Sequence, residues 1–259
     1  SFCNVIGFKP SYGMVSRHGL IAYASSFDQI GPIGKSIDDL DKVMGVVSGK
    51  DDFDSTCVFS KKDYNKDFTI PKKMQISVIK DAARHKLLHN DVRDSFSELL
   101  KNIKKFGHEI KYIDMPILKY LVPAYYILTT AEASSNLARY DGVRYGHSKR
   151  LKEKNWDELI KKTRSEGFGK EVKRRILLGT FVLSEGYYDN YYSKAQKIRR
   201  LVKDQTSKIL QSSDFILLPT SPTPPFKLNE KYKDPTILYL QDVFTVQANL
   251  SGNPSLSIP

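Results

Sequence analysis

Cysteine is scarce in this sequence: its 259 residues hold two, Cys3 and Cys57. Two thiols cannot build a disulfide framework and match no zinc-ligand spacing, so a reducing compartment is the expected setting. No stretch approaches the roughly 18 uninterrupted apolar residues that a membrane-spanning helix needs. No basic, apolar leader is visible. A phosphate-cradling G-x-x-x-x-G-K-[ST] segment is missing, as are internal repeats and low-complexity tracts. These absences predict a soluble cytosolic domain as the default.

Acidic residues are also in short supply, with 29 Asp and Glu against 41 Lys and Arg, a formal charge of +12. That excess suits phosphates or acidic partners, although scattered lysine equally describes a solvated basic surface. One stretch is denser: Lys149, Arg150, Lys152, Lys154, Lys161, Lys162 and Arg164, with Trp156 among them. It reads either as a strand-holding patch for nucleic acid or as an exposed amphipathic helix. Apolar residues make up 40% and aromatics 11%, enough for a sizeable core. The sequence opens on Ser1-Phe2-Cys3 and ends on Leu256-Ser257-Ile258-Pro259, apolar edges that suggest a piece of a longer protein.

The pattern along the chain is α/β. Ser36-Ile37-Asp38-Asp39 predicts a helix start, with Ser36 accepting from the Asp39 amide. The helix that follows should bury Ile37, Leu40, Met44 and Val47 and close at Gly49. Residues 75–79 and 109–113 read as strands around a helix at 90–106 on Val92, Phe96, Leu99 and Ile103, stopped by Gly107. Strand, helix, strand implies a parallel pair under helical cover. A long helix is predicted over 117–140, interrupted at most by Pro123, with Ala131, Ala133, Ser134, Ser135 and Ala138 small enough to admit another backbone. Residues 171–212 should be helical with a bend near Gly186. Residues 214–218 read as a buried strand ended by the proline-rich 219–225.

Several blocks together resemble the amidase-signature family. They are Gly7-Phe8-Lys9-Pro10-Ser11-Tyr12-Gly13, Ser25-Ser26-Phe27-Asp28-Gln29-Ile30-Gly31-Pro32, Lys173-Arg174-Arg175-Ile176-Leu177-Leu178-Gly179-Thr180-Phe181, Pro219-Thr220-Ser221-Pro222-Thr223-Pro224 and Val246-Gln247-Ala248-Asn249-Leu250-Ser251-Gly252-Asn253-Pro254. A narrower block, Asn136-Leu137-Ala138-Arg139-Tyr140-Asp141-Gly142-Val143-Arg144-Tyr145-Gly146, is similar to the A-subunit branch of the tRNA-dependent amidotransferases within that family. The match departs at Met14, His18 and Gln247-Ala248.

The resemblance implies an amidase-signature fold: a mixed central sheet covered by helices on both sides, truncated at both ends, with residues 1–259 part of a single amidase domain. It implies a serine nucleophile, a cis-peptide serine and a lysine, all expected upstream of Ser1, so no catalytic residue is assigned within this chain. The implied reaction is acyl transfer from the side-chain amide of glutamine, releasing ammonia and then glutamate. The ammonia would convert Glu-tRNA(Gln) to Gln-tRNA(Gln), Asp-tRNA(Asn) to Asn-tRNA(Asn), or both. B and C subunits and a misacylated tRNA are the implied partners. ATP and Mg are expected on the B subunit; no cofactor or metal is expected on this chain. The rival readings are a stand-alone amidase of the same family and a non-catalytic basic α/β protein that binds nucleic acid or a partner. Ser25 and Ser26 with Lys9, or Cys3 with His18, would make poor substitutes for the missing triad.

A glutamine-selective pocket needs a fixed cation for the α-carboxylate and a fixed anion for the α-ammonium. Arginine suits the first because its fork can hold both oxygens. With Val172, Ile176, Gly179 and Leu183 as a buried stripe, Arg175 lies about 60° from Val172 and Arg174 about 200° away. Arg175 is therefore preferred, which agrees with the block where the resemblance places this residue; the alternative is a surface arginine in a salt bridge. Asp242, a carboxylate among apolar neighbours, is the candidate anion, the alternative being that it caps, or is exposed on, a local turn. Tyr126 is the third candidate, named mainly from the resemblance, with Tyr125 its competitor.

Overall fold

The computed structural model describes residues 2–58, 69, 71–148, 155–228 and 235–259. The chain divides into two units. Ser1–Gly19, Gln29–Val122 and Ile198–Pro259 form the first; Leu20–Asp28 and Pro123–Lys197 form the second. Lys149, Arg150, Lys152 and Lys154 of the basic cluster lie outside the described residues.

The first unit contains two three-stranded sheets. In one, β1 (Ile6–Lys9) runs antiparallel to both β2 (Ile33–Gly34) and β6 (Ser255–Ser257). In the other, β3 (Gln75–Ile79) is central and parallel to β4 (Glu109–Ile113) and β5 (Phe215–Leu217). Helix α1 spans Ile37–Val47, α2 Lys80–Ala83 and α3 Asn90–Lys105. The predicted parallel pair is thus present, in register from Gln75 opposite Glu109 to Ile79 opposite Ile113. Central β3 is buried along Ile76–Ile79, as a parallel strand flanked on both sides should be. Its one hydroxyl, Ser77 Oγ, pairs with Ser213 Oγ at 2.6 Å. Val78 packs with Phe96 and Leu100 of α3, with Leu99, Ile110 and Leu217 around them.

Two expectations for this unit need adjusting. The Ser36 cap forms, its side chain accepting from the Asp39 N–H at 3.1 Å, but only Leu40 and Met44 of α1 are buried. Ile37 and Val47 are 58% and 40% exposed, because the covering surface reaches only the middle turns of this short helix. In β5, Phe215 is exposed and its neighbours half-buried, since this strand adds to one side of β3 rather than sitting between strands. Cys3 is exposed, whereas Cys57 is buried and donates to the Gly49 carbonyl at 2.8 Å.

The second unit holds none of the named strands and is mainly helical. The single helix expected over 117–140 is three pieces: a 3₁₀ turn at Pro116–Tyr120, α4 at Leu121–Asn136 and a 3₁₀ turn at Leu137–Arg139. Pro123 falls in the first turn of α4, where its missing N–H has no intrahelical acceptor to lose. Helix α5 (Trp156–Gly167) is capped by Asn155, whose side chain accepts from Glu158 N–H at 2.7 Å. Arg164 on α5 turns inward, donating to the Leu137 and Tyr140 carbonyls at 2.7 and 3.2 Å, so it is not part of a surface patch. Helix α6 (Lys170–Leu183) ends before Gly186, whose φ of +80° supplies the expected bend. A π-helical turn, Tyr188–Ser193, then leads into α7 (Lys194–Leu210).

The small-residue face of α4 has an internal role. A Cβ added to Gly179 on α6 would sit 2.0 Å from the Thr130 carbonyl oxygen and 2.8 Å from Ser134 Cβ. Only glycine lets α6 approach α4 this closely. Among the described residues, no helix is long and apolar enough to cross a membrane.

Candidate substrate-binding site

Arg175 lies on α6, four residues after Glu171 in the first helical turn. A carboxylate there is favoured by the helix N-terminus and reaches forward to both arginines. Glu171 accepts from Arg174 Nη1 and from Arg175 Nε, the latter at 3.0 Å. The two arginines then diverge as their helical phase predicted: the Arg174 side chain is 51% exposed and that of Arg175 29%. The expected stripe narrows to Gly179 and Val182, with Val172, Ile176 and Leu183 half-buried.

Two tyrosines complete the cradle. Arg175 Nη1 donates to the Tyr23 hydroxyl at 2.8 Å, and the guanidinium lies 5.4 Å from the Tyr23 ring centre. Tyr126, on α4, presents its ring 5.8 Å from the same guanidinium. Of the two candidate tyrosines, Tyr126 therefore meets Arg175, while Tyr125 packs edge-on against buried Phe27. Burial alone works against the charge on Arg175. The Tyr23 hydroxyl and the Glu171 carboxylate outweigh it, holding the group above its ordinary pKa. With Nε on Glu171 and one Nη1 hydrogen on Tyr23, the end-on Nη1/Nη2 edge can still face a carboxylate.

Tyr23 is held by its own turn. Asp28 accepts from the N–H groups of Tyr23 and Ala24 at 2.9 and 3.1 Å. Asn136 on α4 donates to the Tyr23 carbonyl at 3.1 Å and to Ser25 Oγ at 3.0 Å. Glu132, one turn earlier, accepts from Ser26 N–H at 2.8 Å and also from Ser26 Oγ. Ser25 and Ser26 thus serve the turn, and neither is paired with Lys9 in these contacts. Lys9, in the first unit, donates to the carbonyls of Asn253 and Pro10 at 2.6 and 3.1 Å and to Gln29 Oε1 at 3.3 Å. Burial lowers it to about 8, so at neutral pH it is an ammonium with three acceptors, not a free base.

Asp242 belongs to the first unit, whereas Arg175, Tyr126 and Tyr23 belong to the second. It is half-buried between Gln241 and the buried pair Val243 and Phe244. Its carbonyl accepts from the amides of Thr245 and Val246 at 3.1 Å each, where α9 (Val246–Ser251) begins, after α8 (Pro235–Leu240). At the departure from the family pattern, Gln247 is buried and donates to Thr206 Oγ1 at 2.7 Å, so the polar replacement is satisfied.

Tyr23, Glu132, Asn136 and Glu171 escaped the sequence reading. Glu132 carried a usable signal, being the only acidic residue between 117 and 140 and set among small and apolar neighbours. Glu171 stands at i−4 from Arg175 and was equally visible. Tyr23 carried none, because its partner is 152 residues away.

The profile of the Amidase family matches residues 1–259. The chain belongs to the amidase family. Among curated proteins, this amidase chain is 48% identical over 260 residues to the A subunit of glutamyl-tRNA(Gln) amidotransferase from Pseudothermotoga lettingae. It is 46% identical over 260 residues to the corresponding protein from Methanosarcina mazei. All of the chain is covered in both comparisons, with 55% and 54% of the relatives, so the chain spans about half the length of the curated relatives it matches. The crystal structure of the Thermotoga maritima glutamyl-tRNA(Gln) amidotransferase A subunit superposes with a TM-score of 0.75 at 39% identity, covering 100% of this chain and 51% of that one. A bacterial aryl acylamidase of the amidase-signature enzymes reaches 0.70 at 18% identity, over 100% of this chain and 52% of that one, and shows the shared fold alone. The expected α/β amidase-signature fold is borne out. Its strands divide here into one antiparallel and one parallel sheet.

Proposed function

We propose that this chain is part of a single amidase domain in a glutaminase subunit of a tRNA-dependent amidotransferase. In the whole protein, glutamine and water become glutamate and ammonia. The ammonia is used to convert Glu-tRNA(Gln) to Gln-tRNA(Gln), Asp-tRNA(Asn) to Asn-tRNA(Asn), or both. The serine nucleophile, its cis-peptide serine partner and the lysine belong upstream of Ser1, while this chain supplies glutamine selection. B and C subunits are the partners, ATP and Mg act on the B subunit, and the setting is the bacterial cytoplasm. The names carried by relatives at 45–48% identity support this reading.

The observation that carries the reading is Arg175, half-buried beside the rings of Tyr23 and Tyr126 with its end-on edge available. A cation so placed is built to hold a carboxylate in one orientation, which free glutamine has and a simple aryl amide lacks. Arg175 takes the α-carboxylate, Asp242 the α-ammonium, and Tyr126 forms one wall. A stand-alone amidase for apolar amides has no use for such a pair.

The test uses the full-length protein. A charge-assisted hydrogen bond contributes roughly 1.5–3 kcal/mol, so Arg175→Ala lowers kcat/KM for glutamine by at least about tenfold. Arg175→Lys recovers only part, because an ammonium cannot match the fork. Asp242→Asn weakens glutamine use similarly. Amidation of tRNA driven by ammonium chloride bypasses the pocket and stays close to wild type. Equal losses with glutamine and with ammonium chloride would assign these residues to folding or assembly instead.

A further inference from the structure

Helix α4 carries one acidic side chain, Glu132, which is half-buried. A carboxylate so placed is costly unless its oxygens are satisfied. Here both are, one by the Ser26 N–H and the other by the Ser26 hydroxyl. Four residues on, the same helix face holds the Tyr23 carbonyl and Ser25 Oγ through Asn136. Asp28 closes the turn from within. The turn is therefore locked to α4 at two successive helical positions, and its product is the placement of the Tyr23 hydroxyl and ring.

That placement matters because the other contacts of Arg175 do not fix it independently. Glu171 is on the same helix and moves with it. Tyr126 offers a ring face, which tolerates sliding, while a hydrogen bond of 2.8 Å to Tyr23 is directional. The end-on edge of Arg175 can face a bound carboxylate only while its other edge is held.

We propose that Glu132 is a positioning residue for glutamine binding: by gripping both donors of Ser26 it fixes the turn that presents Tyr23 to Arg175. This rests on the assignment of Arg175 to the glutamine α-carboxylate. Glu132 acts through Tyr23 and touches neither substrate nor the reacting atoms.

The experiment is a set of steady-state glutaminase measurements on the full-length protein. Glu132→Ala raises KM for glutamine about five- to tenfold with kcat within about twofold. Glu132→Gln restores most of the loss, since an amide can accept from the Ser26 N–H and donate to its hydroxyl. Ser26→Ala, which removes only the hydroxyl contact, gives a smaller rise of about twofold and keeps the test decisive if Glu132→Ala does not fold. In an Arg175→Ala background, Glu132→Ala and Ser26→Ala add nothing further to the loss of kcat/KM, as expected for residues acting through one group. Additive losses in that background, or a lowered melting temperature with unchanged KM, would overturn the proposal. If Arg175→Ala raises KM while the Glu132 and Ser26 variants do not, positioning fails and the carboxylate assignment stands. If Arg175→Ala leaves KM unchanged, the assignment itself fails and positioning with it.

Discussion

The two units of this chain are held together by different means. The first is built on sheets: β3 is flanked on both sides, and Val78 with Phe96 and Leu100 forms a conventional apolar core. The second has α4 and α6 pressed together at Gly179, and a turn fastened by Glu132, Asn136 and Asp28. Apolar packing is non-directional and sets stability, whereas polar locks are directional and set the aim of a side chain. The first unit has directional bonds too, at Lys9 and between Ser77 and Ser213, but the locks of the second hold the turn that presents Tyr23 to Arg175.

That contrast separates stability from substrate affinity, and three substitutions in the full-length protein test it. Ile79, on β3 and fully buried, belongs to the packed unit. Ile79→Ala is expected to cost about 2–5 kcal/mol in denaturant unfolding, with KM for glutamine unchanged in the folded fraction. A large KM change would blur the contrast.

Gly179→Ala acts on the other unit. The added methyl meets the Thr130 carbonyl, and overpacking of this kind costs about 1–3 kcal/mol, outweighing the gain in helix propensity of about 1 kcal/mol. Because α6 carries Arg175, KM for glutamine should rise as well. A stability loss with wild-type KM would show that the cradle tolerates movement of its helix.

The smallest effect concerns pH. Lys9 titrates at about 8 in the folded chain against 10.5 when free of the fold. Between those values the unfolded chain binds the extra proton, so this group makes stability rise with pH there and contributes no slope below about 8. Lys9→Met should remove that upward slope, measured as unfolding free energy from about pH 7 to about pH 10. An unchanged slope would mean that the three acceptor oxygens keep Lys9 charged through this range.

Local features were legible in the sequence wherever neighbours in the chain decide them. The Ser36 cap, the strands at Gln75–Ile79 and Glu109–Ile113, the bend at Gly186 and the deeper burial of Arg175 than of Arg174 all follow from spacing. The breadth of a buried stripe was not legible, as Ile37 and Val47 on α1 show, because a partner surface sets it. Nor was the division of 117–140 into two 3₁₀ turns and a helix.

The sequence by itself determined the family and which of two adjacent arginines is the less exposed, since a motif and helical phase are properties of adjacent positions. Only the tertiary structure decided that Tyr23, 152 residues before Arg175, receives its hydrogen bond, and that Glu132 grips Ser26 across 106 residues. Directional bonds between distant segments depend on how the chain folds back on itself, and no periodicity along the sequence encodes that.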